Sequence, residues 1–291
     1  MRQILRRMIW LSILTAIFSA VTLPAKVMFN GKKYPPVAFA AQELKAVMAE
    51  TGNEDLQVML VVKPDASSPE TYQIRRFGPQ DIRVIGTDAN GTLYGGLEIA
   101  ECLRLGLPIE EKRQVPFVKK RGIKWNIPLD ARIPSYDDTG DSAQNNIESV
   151  WDFEFWKEFF DDMARYRYNV LSLWTAHPYP SIVKLEDYPD AALEDVYRMG
   201  LPLDQDWRKS GNPGPWGPWD RDLNDPGVMK LVKKITIEEK VDYWRKVFNY
   251  AGDRGIEISI FHWNVFTFGA TGKNGITQAQ ANPITVDYLY K

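Results

Sequence analysis

The sequence predicts an α/β protein: a small α/β N-terminal domain followed by an incomplete (β/α)8 TIM barrel of about three βα units. Strand and helix patterns alternate in residues 26–115, as expected of a compact α/β unit. From residue 122 to residue 263 the order is strand, helix, strand, helix, strand, and apolar strands in this order are typical of parallel β-structure covered by helices. The segment Trp125–Leu129 has no glycine, so it cannot cradle a pyrophosphate as the first loop of a doubly wound sheet does.

The composition is that of an ordinary globular protein. The 291 residues are 44% hydrophobic and 25% charged, with a formal net charge of -2. Such a chain can bury a sizeable core, and it lacks the excess of Lys and Arg that would indicate nucleic acid or an anionic membrane as a partner. The single cysteine, Cys102, lies on the apolar pattern of a predicted helix, so we expect a buried thiol and no intrachain disulfide.

The first 25 residues predict a signal peptide. Arginines precede an apolar run at Met8–Val21, and the small residues Ala20 and Ala25 are candidate cleavage points. The run is shorter than the roughly 18 apolar residues that a membrane-spanning helix needs. We therefore expect export to the periplasm or the extracellular space, with no stable membrane insertion after the signal is removed.

The small domain is predicted over residues 26–115. Its elements are strands at Val27–Phe29, Leu56–Val62, Tyr72–Arg76 and Ile82–Ile85, and helices at Val37–Glu50 and Leu93–Leu105. Gly106 follows the last helix as a C-cap. The polar stretch Glu110–Gln114 and Pro116 mark the boundary with the next domain.

Residues 116–291 are predicted to form the N-terminal part of the barrel. Its strands are Gly122–Ile127, Asn169–Trp174 and Gly255–Trp263. An apolar stripe predicts the first helix, with Trp151, Phe155, Phe159 and Met163 on one side. A capping box at Thr236–Glu239 begins the second helix after a long insertion, and Ile284–Tyr290 begins a third.

Aromatic, imidazole and amide side chains follow the three barrel strands. They are Trp125 and Asn126, then Trp174 and His177, then His262, Trp263 and Asn264. The carboxyl ends of barrel strands converge on one mouth. A sugar ring stacks its apolar face on indole while imidazole and amide groups hydrogen-bond its hydroxyls, so we predict that these residues bind a sugar. For the two histidines, a structural role and a substrate-contacting role are both open.

Other polar segments in this half of the chain permit two interpretations. Arg132 could hold a substrate carboxylate in bidentate fashion or pair with a neighbouring aspartate. The segment 212–220, rich in Pro, Gly and Trp, could line a glycan groove or pack on the rim of the barrel. Asp137–Asp141 lacks the spacing of a calcium loop, and we expect no metal site. The chain also lacks hydrolase-elbow, Walker and paired Cys/His patterns, so carboxylate chemistry without a cofactor is the remaining candidate.

Two motifs of the small domain resemble a known arrangement. Asp81–Asp88 followed by Gly91–Leu97 resembles the strand, Gly-x-Asp turn and Tyr-Gly helix that precede the barrel in α-glucuronidases and β-N-acetylhexosaminidases. Phe39–Leu44 is similar to the first helix of the same domain, and Arg121-Gly122 opens the first barrel strand. The resemblance extends over about Val27–Trp263.

The resemblance implies an exo-acting, α-glucuronidase-like glycoside hydrolase that removes uronic acid from plant xylan or related glycans. Its partner would be an oligo- or polysaccharide, and it would need no cofactor. A β-N-acetylhexosaminidase-like enzyme is one alternative, although those enzymes have an aspartate where this chain has Asn126. A non-catalytic glycan-binding fragment is the other. In these families the catalytic carboxylates come from the fourth barrel strand onward, which we expect beyond Lys291, so no catalytic residue is assigned.

Overall fold

The structure is a computed structural model. It describes residues 26–30, 33–133, 141–200, 229–263 and 266–291. The predicted signal peptide, the segment 212–220 and Asn264 lie outside the described residues. No helix among the described residues is both long and apolar enough to cross a membrane.

The first sheet has five strands in the order β1-β2-β4-β3-β5. Its strands are β1 (Lys26–Met28), β2 (Gln57–Val62), β3 (Tyr72–Arg76), β4 (Asp81–Gly86) and β5 (Lys112–Gln114), and its helices are α1 (Pro35–Glu50) and α2 (Ala89–Leu105). Strands β1, β2 and β4 are parallel, whereas β3 is antiparallel to β4 and β5. The two helices and the sheet share one hydrophobic core. We call these seven elements the N-terminal unit.

The motif at the start of α2 has a packing function. The Asp88 side chain accepts a hydrogen bond from the Gly91 N–H and so caps the helix, and Gly106 ends it in the left-handed conformation with φ 65°. A Cβ on Gly95 would lie 2.4 Å from Val84, and one on Gly96 would lie 2.9 Å from a side-chain atom of α1. The paired glycines therefore let α2 approach both the sheet and α1 closely.

The second sheet has three parallel strands in the order β10-β7-β6. The elements from Gly122 onward are β6 (Gly122–Asn126), α3 (Asp141–Val150), α4 (Phe153–Arg165), β7 (Val170–Trp174), α5 (Tyr179–Ile182), β8 (Val196–Met199), β9 (Met229–Lys233), α6 (Ile237–Asp253), β10 (Glu257–Phe261) and α7 (Pro283–Tyr290). Helices α4 and α6 connect successive parallel strands, and β8 with β9 forms an antiparallel pair inside the insertion. The fold is α/β, with a small mixed sheet followed by three βα units of a barrel.

The helix predicted across Trp151–Met163 is wrong in its first part. Two helices, α3 and α4, meet here, and Trp151 lies in the turn between them. The chain breaks at this point because the Asp152 side chain accepts a hydrogen bond from the Glu154 N–H and caps α4. The fully buried face of α4 carries Trp156 and Phe160, whereas of the predicted stripe Met163 is buried and Phe155 and Phe159 are partly buried against the core.

Trp156 is the centre of an aromatic core between α4, α6 and the second sheet. Its side chain is fully buried, and its indole N–H donates a 2.8 Å hydrogen bond to the Val150 carbonyl. The ring centroids of Trp125, Phe160 and Trp244 lie 5.4, 5.4 and 5.7 Å from that of Trp156. This core attaches the two helices to the helix-facing side of the strands.

A polar cluster joins the N-terminal unit to all three strands of the second sheet. The Glu70 carboxylate accepts hydrogen bonds from Arg121 Nη2 at 2.8 Å and from Asn169 Nδ2 at 2.9 Å. Asn90 of α2 donates to the Gly255 carbonyl at 3.0 Å. Because Arg121, Asn169 and Gly255 lie just before β6, β7 and β10, the N-terminal unit lies against the amino ends of these strands and away from their carboxyl ends.

Candidate functional site

Trp125 faces the helices. Its ring packs against Phe155, Trp156 and Phe159 of α4, with centroid distances of 5.7, 5.4 and 5.8 Å. Side chains alternate along a strand, so Trp125 and Asn126 point to opposite faces of the sheet. This direction does not support the prediction that Trp125 contributes to the sugar site, because position at a strand end does not determine which face a side chain is on.

The opposite face of the sheet, which we call the inner face, carries polar and aromatic side chains. Residues paired in register on parallel strands share a face, and Asn126 and Phe261 both pair with Trp174. Two residues earlier on each strand, at the next level of the same face, Lys124 and Ser259 both pair with Ser172. The upper two levels of the inner face are therefore Lys124, Asn126, Ser172, Trp174, Ser259 and Phe261.

Two of the predicted tryptophans meet at the carboxyl ends of β7 and β10. The rings of Trp174 and Trp263 are 5.6 Å apart in an edge-to-face arrangement. Trp174 is buried, with 3% of its surface exposed, whereas Trp263 is partly exposed. Trp263 also contacts Phe266 with ring centroids 5.5 Å apart. Trp263 is therefore the more exposed indole of this pair.

His262 is held by a tyrosine that the sequence did not single out. The Tyr179 hydroxyl lies 2.6 Å from His262 Nε2, and the two rings are 4.8 Å apart. Burial lowers the pKa of His262, which favours the neutral imidazole. Its neutral ring has one donor and one acceptor nitrogen, the combination that suits a sugar hydroxyl.

His177 is buried and connects three segments of the chain. Its Nδ1 lies 2.7 Å from the Phe268 carbonyl, and its Nε2 lies 3.2 Å from the Tyr288 hydroxyl of α7. The Phe268 carbonyl can only accept a hydrogen bond, so Nδ1 carries the proton and donates to it. The Tyr288 hydroxyl can then donate to Nε2, and the ring is neutral. Burial lowers the pKa of His177 to about 4. Of the two roles left open for His177, the structure favours the structural one.

The buried His177 predicts a loss of stability in mild acid. Unfolded histidine protonates as the pH falls below about 6.5, whereas folded His177 resists protonation down to a pKa of about 4. Between these two values the unfolded state binds more protons, so His177 stabilises the fold above pH 6.5 and this contribution is lost as the pH falls. The full contribution is about 3 kcal/mol.

The comparison of wild type with His177→Gln, by chemical denaturation from pH 7.5 to pH 4, measures this contribution. The difference in free energy of unfolding between the two proteins should shrink as the pH falls, since only the wild type carries the titrating ring. Two parallel pH profiles would contradict the prediction.

Arg132 is engaged in a structural ion pair. Its Nε and Nη2 donate to the two carboxylate oxygens of the buried Asp130 at 2.7 and 2.8 Å. Nη2 also donates to the Glu194 and Asp195 carbonyls, and Asp130 accepts from the Tyr197 N–H. The Nε/Nη2 edge, which could grip a substrate carboxylate in bidentate fashion, is thus occupied by Asp130, so the prediction of Arg132 as a substrate-binding residue is not supported. Instead it ties the insertion to the loop after β6.

The site that remains combines predicted and unpredicted residues. The structure places Asn126, Trp174 and Lys124 on the inner face, where Trp174 also contacts Trp263, and it pairs His262 separately with Tyr179. Lys124 could have been found from the sequence, because polar and apolar residues alternate in β6 and place it on the same face as Asn126. Tyr179 could not, because 83 residues separate it from His262 and no local pattern indicates their contact. Among the described residues, no group of three or more His, Cys, Asp or Glu side chains could hold a metal ion.

The chain combines a small α/β unit, which lies against the amino ends of three parallel strands, with the first βα units of a barrel. Among solved structures, the chain is similar to a GH138 enzyme that targets pectin rhamnogalacturonan II. The two share 20% identity and a TM-score of 0.62 over 91% of this chain and 36% of that enzyme. The chain therefore spans about a third of that enzyme's length.

Weaker likenesses extend to two other groups of glycoside hydrolases. The GH20 β-N-acetylhexosaminidase from Streptomyces coelicolor A3(2) has 13% identity and a TM-score of 0.47, over 92% of this chain and 51% of that one. A GH115 4-O-methyl-α-glucuronidase with specificity for decorated arabinogalactans has 16% identity and a TM-score of 0.34, over 52% and 25%. Neither of these two likenesses establishes a shared fold. No protein-family model and no curated protein matches the sequence.

Proposed function

We propose that this chain is the N-terminal part of an exported, exo-acting, α-glucuronidase-like glycoside hydrolase that removes uronic acid from plant xylan or a related glycan, pectin included. The observation that carries the proposal is the likeness to the GH138 enzyme, because it extends over 91% of the chain and so includes both sheets. The inner face is consistent with this proposal, since it offers aromatic, amide and hydroxyl groups.

In the proposed reaction, this part of the enzyme binds and orients the sugar. Trp263 would stack on the apolar face of the ring, and His262, oriented by Tyr179, would hydrogen-bond a hydroxyl. Hydrolysis of a glycosidic bond needs two carboxyl groups about 5 to 10 Å apart. In the proposal these belong to barrel strands that follow β10 in the longer protein.

Release of single sugars by the full-length gene product tests the proposal. We expect release of 4-O-methylglucuronic acid from glucuronoxylan oligosaccharides or of a uronic acid from rhamnogalacturonan II. Replacing Trp263 by alanine should raise KM about tenfold or more, because a stacking partner is lost at the rim of the site. The matched control is Tyr166→Ala, which removes an exposed aromatic side chain next to the end of α4 and off the inner face, and which should leave KM unchanged.

Two other outcomes would each contradict the proposal. Turnover of N-acetylhexosaminides without turnover of uronides would identify a hexosaminidase-like enzyme. Binding of glycans without release of any sugar would identify a non-catalytic binding protein.

A further inference from the structure

Lys124 carries a positive charge on the inner face with no anionic partner. Its side chain is exposed, and it makes no ion pair with any residue that the structure describes. Its ammonium lies 5.2 Å from the ring centroid of Trp174, a cation–π contact that directs it toward the carboxyl ends of the strands. The neighbouring ion pair, Lys120 with Glu257, lies at the amino end of the sheet and already occupies that glutamate.

The surroundings of Lys124 suit a sugar that bears a negative charge. The upper two levels of the inner face hold hydroxyl, amide and aromatic groups but no carboxylate, so among the six residues described there the charge comes from Lys124. Trp174 contacts both the Lys124 ammonium and the ring of Trp263. An anion that meets the ammonium is therefore close to an indole face, and an acidic sugar has both an anionic group and an apolar ring face.

We propose that Lys124 binds the carboxylate of a uronic acid, with Trp174 holding the ammonium in place and Trp263 receiving the sugar ring. This inference rests on the proposed function and deepens it, because it names the group that distinguishes an acidic sugar from a neutral one. Lys124 is then a residue that determines specificity and takes no part in bond cleavage.

The test compares D-glucuronate with D-glucose as ligands of the full-length gene product, and binding is measured by the change in tryptophan fluorescence. Lys124→Met should weaken glucuronate binding about tenfold or more, because a charge-assisted contact is lost, and should leave glucose binding unchanged. Lys124→Arg should restore most of the affinity. Rising salt should weaken glucuronate binding to the wild type and not to Lys124→Met.

Lys119→Met is the matched control. Lys119 is another exposed lysine, but it precedes β6 and lies off the inner face, so its replacement should leave glucuronate binding unchanged. Equal glucuronate affinity in the wild type and in Lys124→Met, or no glucuronate binding by the wild type, would overturn the inference.

These results are separable from those that test the proposed function. Turnover of uronides that is unaffected by Lys124→Met would refute the role of Lys124 and leave the hydrolase proposal intact. Binding of glucuronate that depends on Lys124, without turnover of any glycan by the full-length product, would refute the hydrolase proposal alone.

Discussion

Replacing Glu70 by alanine is expected to lower the free energy of unfolding by about 3 to 5 kcal/mol, the range found when a buried ion pair loses one partner. The Glu70 and Arg121 side chains are only 12% and 21% exposed, so the guanidinium would be left with little access to water. Asn169 would lose an acceptor in the same step. Chemical denaturation of both proteins at pH 7 measures the difference.

Glu70 also keeps an unusual backbone conformation. Its φ of 58° lies in the left-handed region, which persists because the Glu70 N–H donates to the Asp88 carboxylate at 2.7 Å. Glu70→Gln keeps this backbone and the acceptor oxygen but loses the charge, so we expect a smaller loss. The exposed pair Lys157 with Glu154 is the matched control, and Glu154→Ala should cost less than about 1 kcal/mol. A similar small loss for Glu70→Ala would show that the junction is not stabilised by this cluster.

Replacing Trp156 by alanine is expected to lower the free energy of unfolding by about 3 to 5 kcal/mol, because the fully buried side chain at the centre of the aromatic core is removed. Trp125, Phe160 and Trp244 would then face a cavity, and the Val150 carbonyl would lose its donor. The free energy of unfolding of the variant, from denaturant titration, gives the cost directly.

Two further variants separate the contributions of Trp156. Trp156→Phe keeps most of the ring volume and loses the hydrogen bond, so it should cost less than the alanine variant. Tyr166 is 77% exposed next to the end of α4, and Tyr166→Ala should change stability by less than about 0.5 kcal/mol. If Trp156→Ala were as mild as Tyr166→Ala, the aromatic cluster would not be the core of this part of the protein.

Much of the fold could be predicted because local signals were strong. The bounds of β3, the C-cap at Gly106 and the capping box at Thr236 are all confirmed. The elements that were missed have weak local signals. Helix α3 is mostly polar, and β5 is a three-residue polar strand that exists only because β3 pairs with it.

The candidate site was predicted less completely than the fold. Position at a strand end grouped Trp174 with Trp263, whose rings are in contact, because parallel strands bring their carboxyl ends together. It also included Trp125, although Gly122–Asn126 alternates between apolar and polar residues and so already indicates that Ile123 and Trp125 face the helices. For Arg132 the structure shows the second of the two interpretations, the pair with neighbouring Asp130, whereas its carbonyl acceptors at Glu194 and Asp195 lie more than sixty residues away and no spacing rule could reveal them.

The attachment of the N-terminal unit at the amino ends of the strands has a consequence for how related proteins can diverge. Loops at the carboxyl ends can change length or sequence without disturbing Glu70, Arg121 or Asn169, and substitutions at that junction leave the ligand-facing rim untouched. If the proposed function holds, new sugar preferences can evolve, or be introduced by loop exchange between homologous chains, at little risk to the scaffold. A bulky, branched glycan would then reach the rim unobstructed by the N-terminal unit, which lies at the other end of the strands.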